Sequence, residues 1–367
     1  MKNSNTMKYK KLIILVIASF ITGVITAQND SEARSFIKTI RVNKESSLEV
    51  INKYGKIHIS PWNKDSVSIR AEVKATGSNK SRFDKIFDGI EINISDAGPV
   101  VRAETEFKQN INMLLESFKG MTGKFITYDS RIEINYFISM PAYLGLRIDN
   151  KYGDIYMEDC SGTSSISLSN GSFRANSIQN SSSLNFTFCD VTINSISTAK
   201  IDASFSDFTI GEAEDLNISS LSSKFDIKKV SALSTESRRD KFFITRAGSL
   251  KGNSYFTDFN INTLKKEIDL TTRYGKLDAG TVETGFEKID LNSGYCDISL
   301  GFEPSCSFSF DIRHLNSFLV LPEKNIKSEK KVINEDKKEY ITFGTAGKYP
   351  GMSKVKINAT HGNIYIK

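Results

Sequence analysis

The sequence has little proline, and it has few histidines and cysteines. Its 367 residues include 6 prolines, 3 histidines, 4 cysteines and 1 tryptophan. The scarcity of proline, together with only 23 glycines, excludes collagen-like proteins and proline-rich linkers. With 39% hydrophobic and 25% charged residues, the composition is that of a globular protein, which excludes wholesale disorder. The length allows one large domain or two or three small ones.

The charge balance gives little support to a nucleic-acid partner. Lysine and arginine number 49 and aspartate and glutamate 43, which gives a net charge of +6. Residues 1–27 carry four of the lysines and no acid, so the rest of the chain has a charge of only +2. A surplus this small does not indicate nucleic-acid binding, and we expect none.

Residues 1–27 have the pattern of a secretory signal peptide. Residues 8–11 contain three lysines, residues 12–24 are mostly apolar, and Thr26-Ala27-Gln28 suits signal peptidase. The alternative is an uncleaved anchor, but the apolar run is short for a span of ~20 residues. No cysteine lies near the cleavage site, which argues against lipoprotein processing. No second long apolar run follows. We therefore expect an exported protein without a stable membrane span after cleavage, in the periplasm, at the outer cell surface or outside the cell.

A repeat with a period of about 17–18 residues runs through the middle of the chain. Its anchor is an apolar residue that follows an exposed polar one, and further apolar residues recur two positions after each anchor. The last step, from Leu277 to Ile298, is longer than the others. The nine anchors are Ile155, Phe173, Val191, Phe208, Phe225, Phe242, Phe259, Leu277 and Ile298.

This repeat predicts an all-β fold, a right-handed parallel β-solenoid with coils of about 17–18 residues. Alternating apolar residues indicate strands with one buried face, and one repeat cannot bury that face alone. Stacking would place successive anchors ~4.8 Å apart, with the phenylalanines piled inside the solenoid. A β-sandwich is the alternative, but it needs hairpin turns between neighbouring strands, whereas here the same pattern recurs in register.

Four regions follow from this pattern. Residues 1–27 are the signal peptide, 46–140 form a strand-rich N-terminal cap, 144–321 hold the solenoid repeats, and 322–367 contain a charged loop and capping strands. Within the cap, Asn110–Lys119 has helical spacing and predicts a short helix over one end of the core. Glu323–Lys338 is rich in charge and predicts an exposed loop. The C-terminal tail is expected to close the rod, because open solenoid ends present unpaired strand edges.

A short Tyr-Gly motif recurs around the coils: Asn52-Lys53-Tyr54-Gly55-Lys56-Ile57, Asn150-Lys151-Tyr152-Gly153-Asp154-Ile155 and Arg273-Tyr274-Gly275-Lys276-Leu277. With this motif, and with Pro61-Trp62 and Met140-Pro141 ahead of strands, the sequence resembles the putative-adhesin family. These are secreted β-strand-repeat domains of unknown function that are common in Bacteroidota. Auto-transporter adhesin head (GIN) domains look like distant relatives. The resemblance covers roughly residues 46–367 and implies an exported, non-catalytic β-solenoid. It supplies no catalytic residues, and the insert at 83–124 is less typical of the family.

The residues that usually carry chemistry do not form a recognisable site. His58, His314 and His361 share no metal-ligand spacing, and no glycine-rich phosphate loop links a strand to a helix. We therefore expect no metal and no cofactor. The register also separates the cysteines, apart from a conceivable Cys296–Cys306 bridge, and favours small buried thiols.

An outward row of polar side chains directly precedes the anchors. Within it, Asp190 and Asp207 belong to adjacent coils and could form a carboxylate pair of the kind that glycoside chemistry needs. The alternative is a solvated charge ladder, because Lys224, Lys241 and Lys276 occupy other positions of the row. Mixed signs disfavour a metal rail, and such short coils leave little room for loops that would wall a cleft.

The sequence therefore predicts a structural or interaction protein, not an enzyme. It would present one long rigid side to a surface glycan or to another envelope protein. Two alternatives stay open: a polysaccharide lyase or hydrolase, and a glycan-binding module that uses Tyr156 and Phe243. Both aromatics follow an anchor and are expected to face outward. The possible ligand-facing residues are Tyr156, Phe243, Asp190 and Asp207.

Overall fold

The computed structural model describes residues 30–77, 81–108, 130–348 and 351–367. The signal peptide and the helix expected over Asn110–Lys119 lie outside these residues. The described part is all-β, with strands joined into one continuous sheet and a single short helix, α1 (Ser81–Asp88). This described part contains no helix that is long and apolar enough to cross a membrane.

The strands of the N-terminal part are β1 (Asp30–Arg41), β2 (Ser47–Lys53), β3 (Ile57–Pro61), β4 (Ser66–Gly77), β5 (Ile90–Ala97), β6 (Val100–Phe107) and β7 (Ser130–Met140). Those of the middle are β8 (Gly145–Lys151), β9 (Ile155–Cys160), β10 (Ser164–Ile178), β11 (Ser182–Ser204), β12 (Asp207–Leu221), β13 (Lys224–Arg238), β14 (Lys241–Tyr255), β15 (Asp258–Val282) and β16 (Lys288–Phe302). Those of the C-terminal part are β17 (Phe308–Leu315), β18 (Phe318–Val320), β19 (Ile326–Asn334), β20 (Glu339–Ala346), β21 (Lys354–Thr360) and β22 (Asn363–Ile366).

The middle of the chain is a parallel β-solenoid, as the repeat predicted. Each coil pairs in parallel with the next, and the anchors meet anchors, as in Phe208↔Phe225 and Phe225↔Phe242. In β12 to β14 a coil consists of one long, continuous strand and a corner of two residues. The strand wraps the core and the corner closes the coil. Their combined length gives the period of the repeat.

The anchor phenylalanines fill the interior of the solenoid. Phe208, Phe225, Phe242 and Phe259 are almost completely buried, and adjacent rings stack with centroids 4.7, 4.7 and 5.0 Å apart. The coil spacing of ~4.8 Å brings the rings to this separation. Burial of one such side chain contributes ~1.5–3 kcal/mol, and stacking adds ~0.5–1.5 kcal/mol. The aromatic file is therefore a structural core, as the sequence predicted.

Each coil turns through a corner whose first residue has a left-handed backbone. Phe205, Ser222, Arg239 and Phe256 have φ between 50° and 60°. This conformation costs ~1–2 kcal/mol for a residue with a Cβ. The ladder nevertheless continues through the corner, because the amide of Ser222 donates to the carbonyl of Arg238 in the next coil at 2.9 Å.

The second corner residue supplies a side-chain hydrogen bond between coils. The amides of Cys189 and Ser206 donate to the hydroxyls of Ser206 and Ser223, at 3.0 and 3.2 Å. The amide of Ser223 donates to Asp240 Oδ1 at 2.6 Å. Glycine takes this position where the neighbouring backbone leaves no room for a side chain, since a Cβ on Gly275 would lie 2.0 Å from the carbonyl oxygen of Thr257. The Tyr-Gly motif in the sequence marks these tight corners.

At both ends the order of coils in space differs from their order along the chain. At the C-terminal end, β21 and β22 pair in parallel with β16 on one side and with β17 and β18 on the other. At the N-terminal end, β2 and β3 lie between β6 and β7 on one side and β8 and β9 on the other. Parallel stacking thus extends beyond residues 144–321 in both directions.

Antiparallel strands cover the outermost coils. At the N-terminal end, β4 pairs with β7, β1 with β4, and β5 with β6. At the other end, β20 pairs with β17, and β19 with β20. The expected loop at Glu323–Lys338 is therefore wrong in part: it contains β19, whose charged, exposed side chains suit a protected sheet edge. The tail lies one coil inside the end that it was expected to close.

Candidate interaction surfaces

Two outward surfaces of the solenoid can meet a ligand. The first is the flat face, formed by the residues that follow the anchors, and it holds the residues named from the sequence. The second is the corner ridge, which we define as the left-handed corner residues Phe188, Phe205, Ser222, Arg239, Phe256, Tyr274, Tyr295 and His361.

The structure places Tyr156 and Phe243 on the flat face but not together. Tyr156 is half-buried and Phe243 is 41% exposed. Their positions are joined by the register Tyr156↔Arg174↔Thr192↔Thr209↔Asp226↔Phe243, so they lie five coils, or about 24 Å, apart. They therefore cannot hold one small ligand jointly.

The flat face has a shallow groove at its N-terminal end. The rings of Phe137, His58 and Tyr156 stack with centroids 5.1 and 4.8 Å apart, and Arg70 lies over Phe137. The groove beside them has a volume of about 340 Å³ and is also lined by Arg174. Burial lowers the pKa of His58, which favours the neutral ring within this stack.

The structure brings Asp190 and Asp207 together, as the register predicted. They are direct partners in adjacent coils, and both are exposed to solvent. The mixed row around them is also in register, with Asp207 opposite Lys224. No ion pair joins Asp207 to Lys224 among the described residues, and Lys276 instead contacts Asp278 at 2.9 Å on its own strand. The row has the exposure of a solvated charge ladder.

The corner ridge is the surface that sequence reasoning did not identify. The rings of Phe188 and Phe205 stack at 5.0 Å. A second stack runs through Phe256, Tyr274, Tyr295 and His361, with centroids 5.0, 5.2 and 4.4 Å apart. Phe188, Phe205, Phe256 and Tyr295 are 55, 49, 47 and 53% exposed. The signal was present as aromatics three positions before the anchors, but the left-handed backbone that points them outward is not readable from residue type.

The remaining histidine and the cysteines are buried in structural positions. His314 contacts Ser317 O at 3.3 Å and Thr342 Oγ1 at 3.4 Å, and burial lowers its pKa. All four cysteines are buried and free, so the conceivable Cys296–Cys306 bridge is absent. Burial raises the pKa of the Cys189 and Cys296 thiols, which sit at corner positions. The described residues contain no cluster of His, Cys, Asp and Glu that could hold a metal ion.

Comparisons with known proteins give matches among solved structures only. No family model matches the sequence, and no curated protein matches it. A putative adhesin from Parabacteroides distasonis aligns at 10% identity over 91% of this chain and 97% of its own, with a TM-score of 0.31. A putative cell adhesion protein from Clostridium sporogenes aligns at 9% identity over 92% and 99%, with a TM-score of 0.18. A putative adhesin from Bacteroides fragilis aligns at 12% identity over 91% and 97%, with a TM-score of 0.19.

These matched structures carry adhesin names, as the resemblance in the sequence predicted. At TM-scores of 0.31 and below, the likeness carries no weight for the function of this chain. The assignment of the fold rests instead on the strand pairing of the molecule itself, and the proposal about its function rests on its exposed surfaces.

Proposed function

We propose that this chain is an exported, non-catalytic, adhesin-like interaction protein that binds a component of a cell surface through its corner ridge. The observation that carries this proposal is the exposure of the stacked rings. Contiguous exposed apolar surface on a soluble protein marks an interaction site more often than scattered single residues do.

The rings are not needed for the fold itself. The same corner position is occupied by Asn170 and Ser222 in other coils, with the same left-handed backbone. A phenylalanine there gains ~0.5–1.5 kcal/mol from stacking, yet leaves about half of its side chain in water. Because serine would close the corner equally well, a role outside the fold accounts for the aromatic choice.

The coil geometry supports a binding role over a catalytic one. Coils of one strand and a two-residue corner present a regular outer surface, without long loops to wall a cleft. Asp190 and Asp207, the candidate carboxylate pair of a glycoside-cleaving enzyme, lie open to solvent on that surface. Catalytic acids need a less solvated setting that perturbs their protonation.

Retention on cells tests this proposal. Labelled protein spanning positions 28–367 is applied to intact cells and envelope fragments of the producing bacterium. A ridge variant replaces Phe188, Phe205, Phe256 and Tyr295 by the serine found at position 222. The control, Phe243→Thr, removes an exposed ring from the flat face and installs the residue found at position 209.

We expect the ridge variant to lose most of its retention and the control to keep it. Unchanged retention of a ridge variant that keeps the circular dichroism of the wild type would contradict the proposal. Loss in the control alone would move the site to the flat face, where Tyr156 and Phe243 were predicted to act. Export is checked separately by N-terminal sequencing, which should give Gln28 as the first residue of the mature protein.

A further inference from the structure

A groove of about 430 Å³ lies beside the second stack of the corner ridge. Its walls include Arg238, Tyr255 and Arg273, which are direct partners in three consecutive coils. The two arginine backbones are therefore about 10 Å apart along the rod, with the tyrosine midway between them. Asn253 and Thr271, both exposed, line the same groove. Glu236 lines it as well, and its carboxylate accepts a hydrogen bond from the Asn253 amide at 2.8 Å.

The ring of Tyr255 lies flat against the side of the ridge. It is nearly perpendicular to Phe256 and Tyr274, at interplanar angles of 88° and 78°, and its centroid is 4.7 and 5.3 Å from theirs. Those two rings stack on each other at 5.0 Å, so their edges meet one face of Tyr255. Tyr255 is 37% exposed and lines the groove, which leaves its opposite face for a ligand.

The two arginines that line the groove are not used in ion pairs. Among the described residues no salt bridge involves Arg238 or Arg273. The acid beneath them, Asp240, is buried and accepts hydrogen bonds from Ser220, Ser237 and the backbone amides of Ser223 and Arg238. Its charge is thus compensated inside the corner. The groove therefore offers two arginines without ion pairs, Arg238 and Arg273, against one carboxylate, Glu236.

We propose that this groove binds an acidic polysaccharide, with one sugar ring on Tyr255 and anionic groups on Arg238 and Arg273. An exposed aromatic face suits the C–H face of a pyranose, and the guanidinium fork matches carboxylate and sulfate. The Thr271 hydroxyl and the hydrogen-bonded pair of Asn253 and Glu236 suit sugar hydroxyls. This inference rests on the proposed function and names the ligand class.

Three polymers distinguish the chemistry of the ligand. Dextran sulfate carries only sulfate, polygalacturonate carries only carboxylate, and dextran is the neutral counterpart of the first. Biolayer interferometry with the chain from position 28 to position 367 should detect one or both acidic polymers and should show no binding of dextran. Binding should weaken as salt rises, because exposed arginines make the anionic contacts.

Matched variants separate the groove from general charge attraction. Tyr255→Leu installs the residue that Leu221 supplies at this position two coils earlier, and it leaves the charge unchanged. Arg238→Ser with Arg273→Ser removes two cations from the groove. The control, Lys228→Ser with Arg246→Ser, removes two exposed cations elsewhere. We expect Kd to rise about tenfold in each groove variant and to stay within about twofold of wild type in the control.

Three results would overturn the inference. They are no binding of either acidic polymer, an equal loss in the control variant, and tighter binding of a single-stranded oligonucleotide than of either polymer. Retention on cells that depends on the ridge, without binding of acidic polymers, would leave the proposed function standing and refute this ligand. Binding of acidic polymers without retention on cells would support this ligand and refute the proposed function.

Discussion

The middle of the solenoid and its two ends differ in the order in which their coils stack. In the middle, each coil stacks on the coil that precedes it in the chain, and the paired residues are one repeat apart in the sequence. At the ends, a coil is inserted between two coils that are distant in sequence. Val355 pairs with Ile289 on one side and with Phe310 on the other.

This difference indicates how an open stack is closed. A regular coil leaves one unpaired edge for the next coil, so a stack built only in chain order would end on a bare edge. Inserting the tail as the penultimate coil holds the chain terminus by two parallel ladders. It also leaves the outermost coil free to pair with an antiparallel strand, which stops further parallel addition. The N-terminal end uses the same device with β2 and β3.

The largest expected effect comes from removing the inserted tail. Deletion of residues 351–367 takes away the coil that lies between β16 and β17, and it exposes the apolar faces that hold Ile289 and Phe310. We expect a chain that aggregates or is degraded, because two buried faces and their ladders are lost together. Soluble yield and size-exclusion chromatography measure the result.

Deletion of one whole coil from the middle is the matched counterpart. Removing positions 224–240 deletes a segment of the same length as the tail deletion, but Ser223 is then followed by Lys241, which holds the same register position as Lys224. Stability in stacked repeats is roughly a sum of nearest-neighbour terms, so this shorter protein should fold. If the coil deletion failed to fold while the tail deletion stayed soluble, the middle of the solenoid would depend more on each coil than its end does, contrary to this account.

Truncation of a core ring in the middle has the next largest effect. Phe225→Ala removes a fully buried ring that stacks on Phe208 and Phe242. Cavity formation should lower the free energy of unfolding by ~3–5 kcal/mol. Phe205→Ala on the corner ridge should cost less than ~1.5 kcal/mol, because the side chain is half exposed and stacks on one ring only. Urea unfolding monitored by circular dichroism compares the two, and equal costs would refute the assignment of inside and outside.

The buried carboxylate of a middle corner gives a smaller effect. Asp240→Ala removes the acceptor of four donors, of which two are backbone amides, and it should cost ~1–3 kcal/mol. Asp240→Ser should recover most of this loss, because serine closes the neighbouring corners at Ser206 and Ser223. Equal urea midpoints for the alanine and serine variants would argue against the side-chain ladder through the corners.

A pH effect at the C-terminal end is expected to be the smallest. Burial lowers the pKa of His314, so the unfolded chain binds a proton more readily than the folded one. Stability should therefore fall as pH drops below the ordinary histidine value of 6.5. Lys330 repels the protonated ring, while Ser317, Tyr340 and Thr342 are its neutral neighbours.

The His314→Gln variant should lose less melting temperature than the wild type between pH 7 and pH 5. His58, whose pKa is also lowered, is retained in both proteins, so it contributes equally to the pH dependence of each. An identical pH dependence in the two proteins would show that protonation of His314 does not loosen this end.

The regular part of the fold could be predicted from the sequence because its contacts are local in chain distance. Phe208 and Phe225 reveal their pairing by a fixed spacing and by alternation with exposed residues. Strands were predicted at the ends, but their pairing could not be, because Ile357 has the same alternating pattern whether its partner is Leu291 or another apolar residue. The helix at Ser81–Asp88 was missed as well, since so short a segment gives too few turns for its period to be detected.

The flat face could be located from the sequence, whereas the corner ridge could not. Tyr156 and Phe243 follow anchors within strands, and alternation sends them outward. Phe205 and Phe256 lie in corners, where the direction of a side chain depends on a left-handed φ that bulky residues rarely adopt. Aromatics at such positions are normally taken as core.

Distances between spin labels along the flat face test the stacking of coils most directly. In a cysteine-free background, labels at 192 and 260 are separated by four coils, and labels at 174 and 260 by five. Stacked coils predict backbone separations of about 19 and 24 Å, rising by ~4.8 Å for each coil. Separations that do not increase with the number of intervening coils would contradict the solenoid and, with it, the alignment of rings that forms the corner ridge.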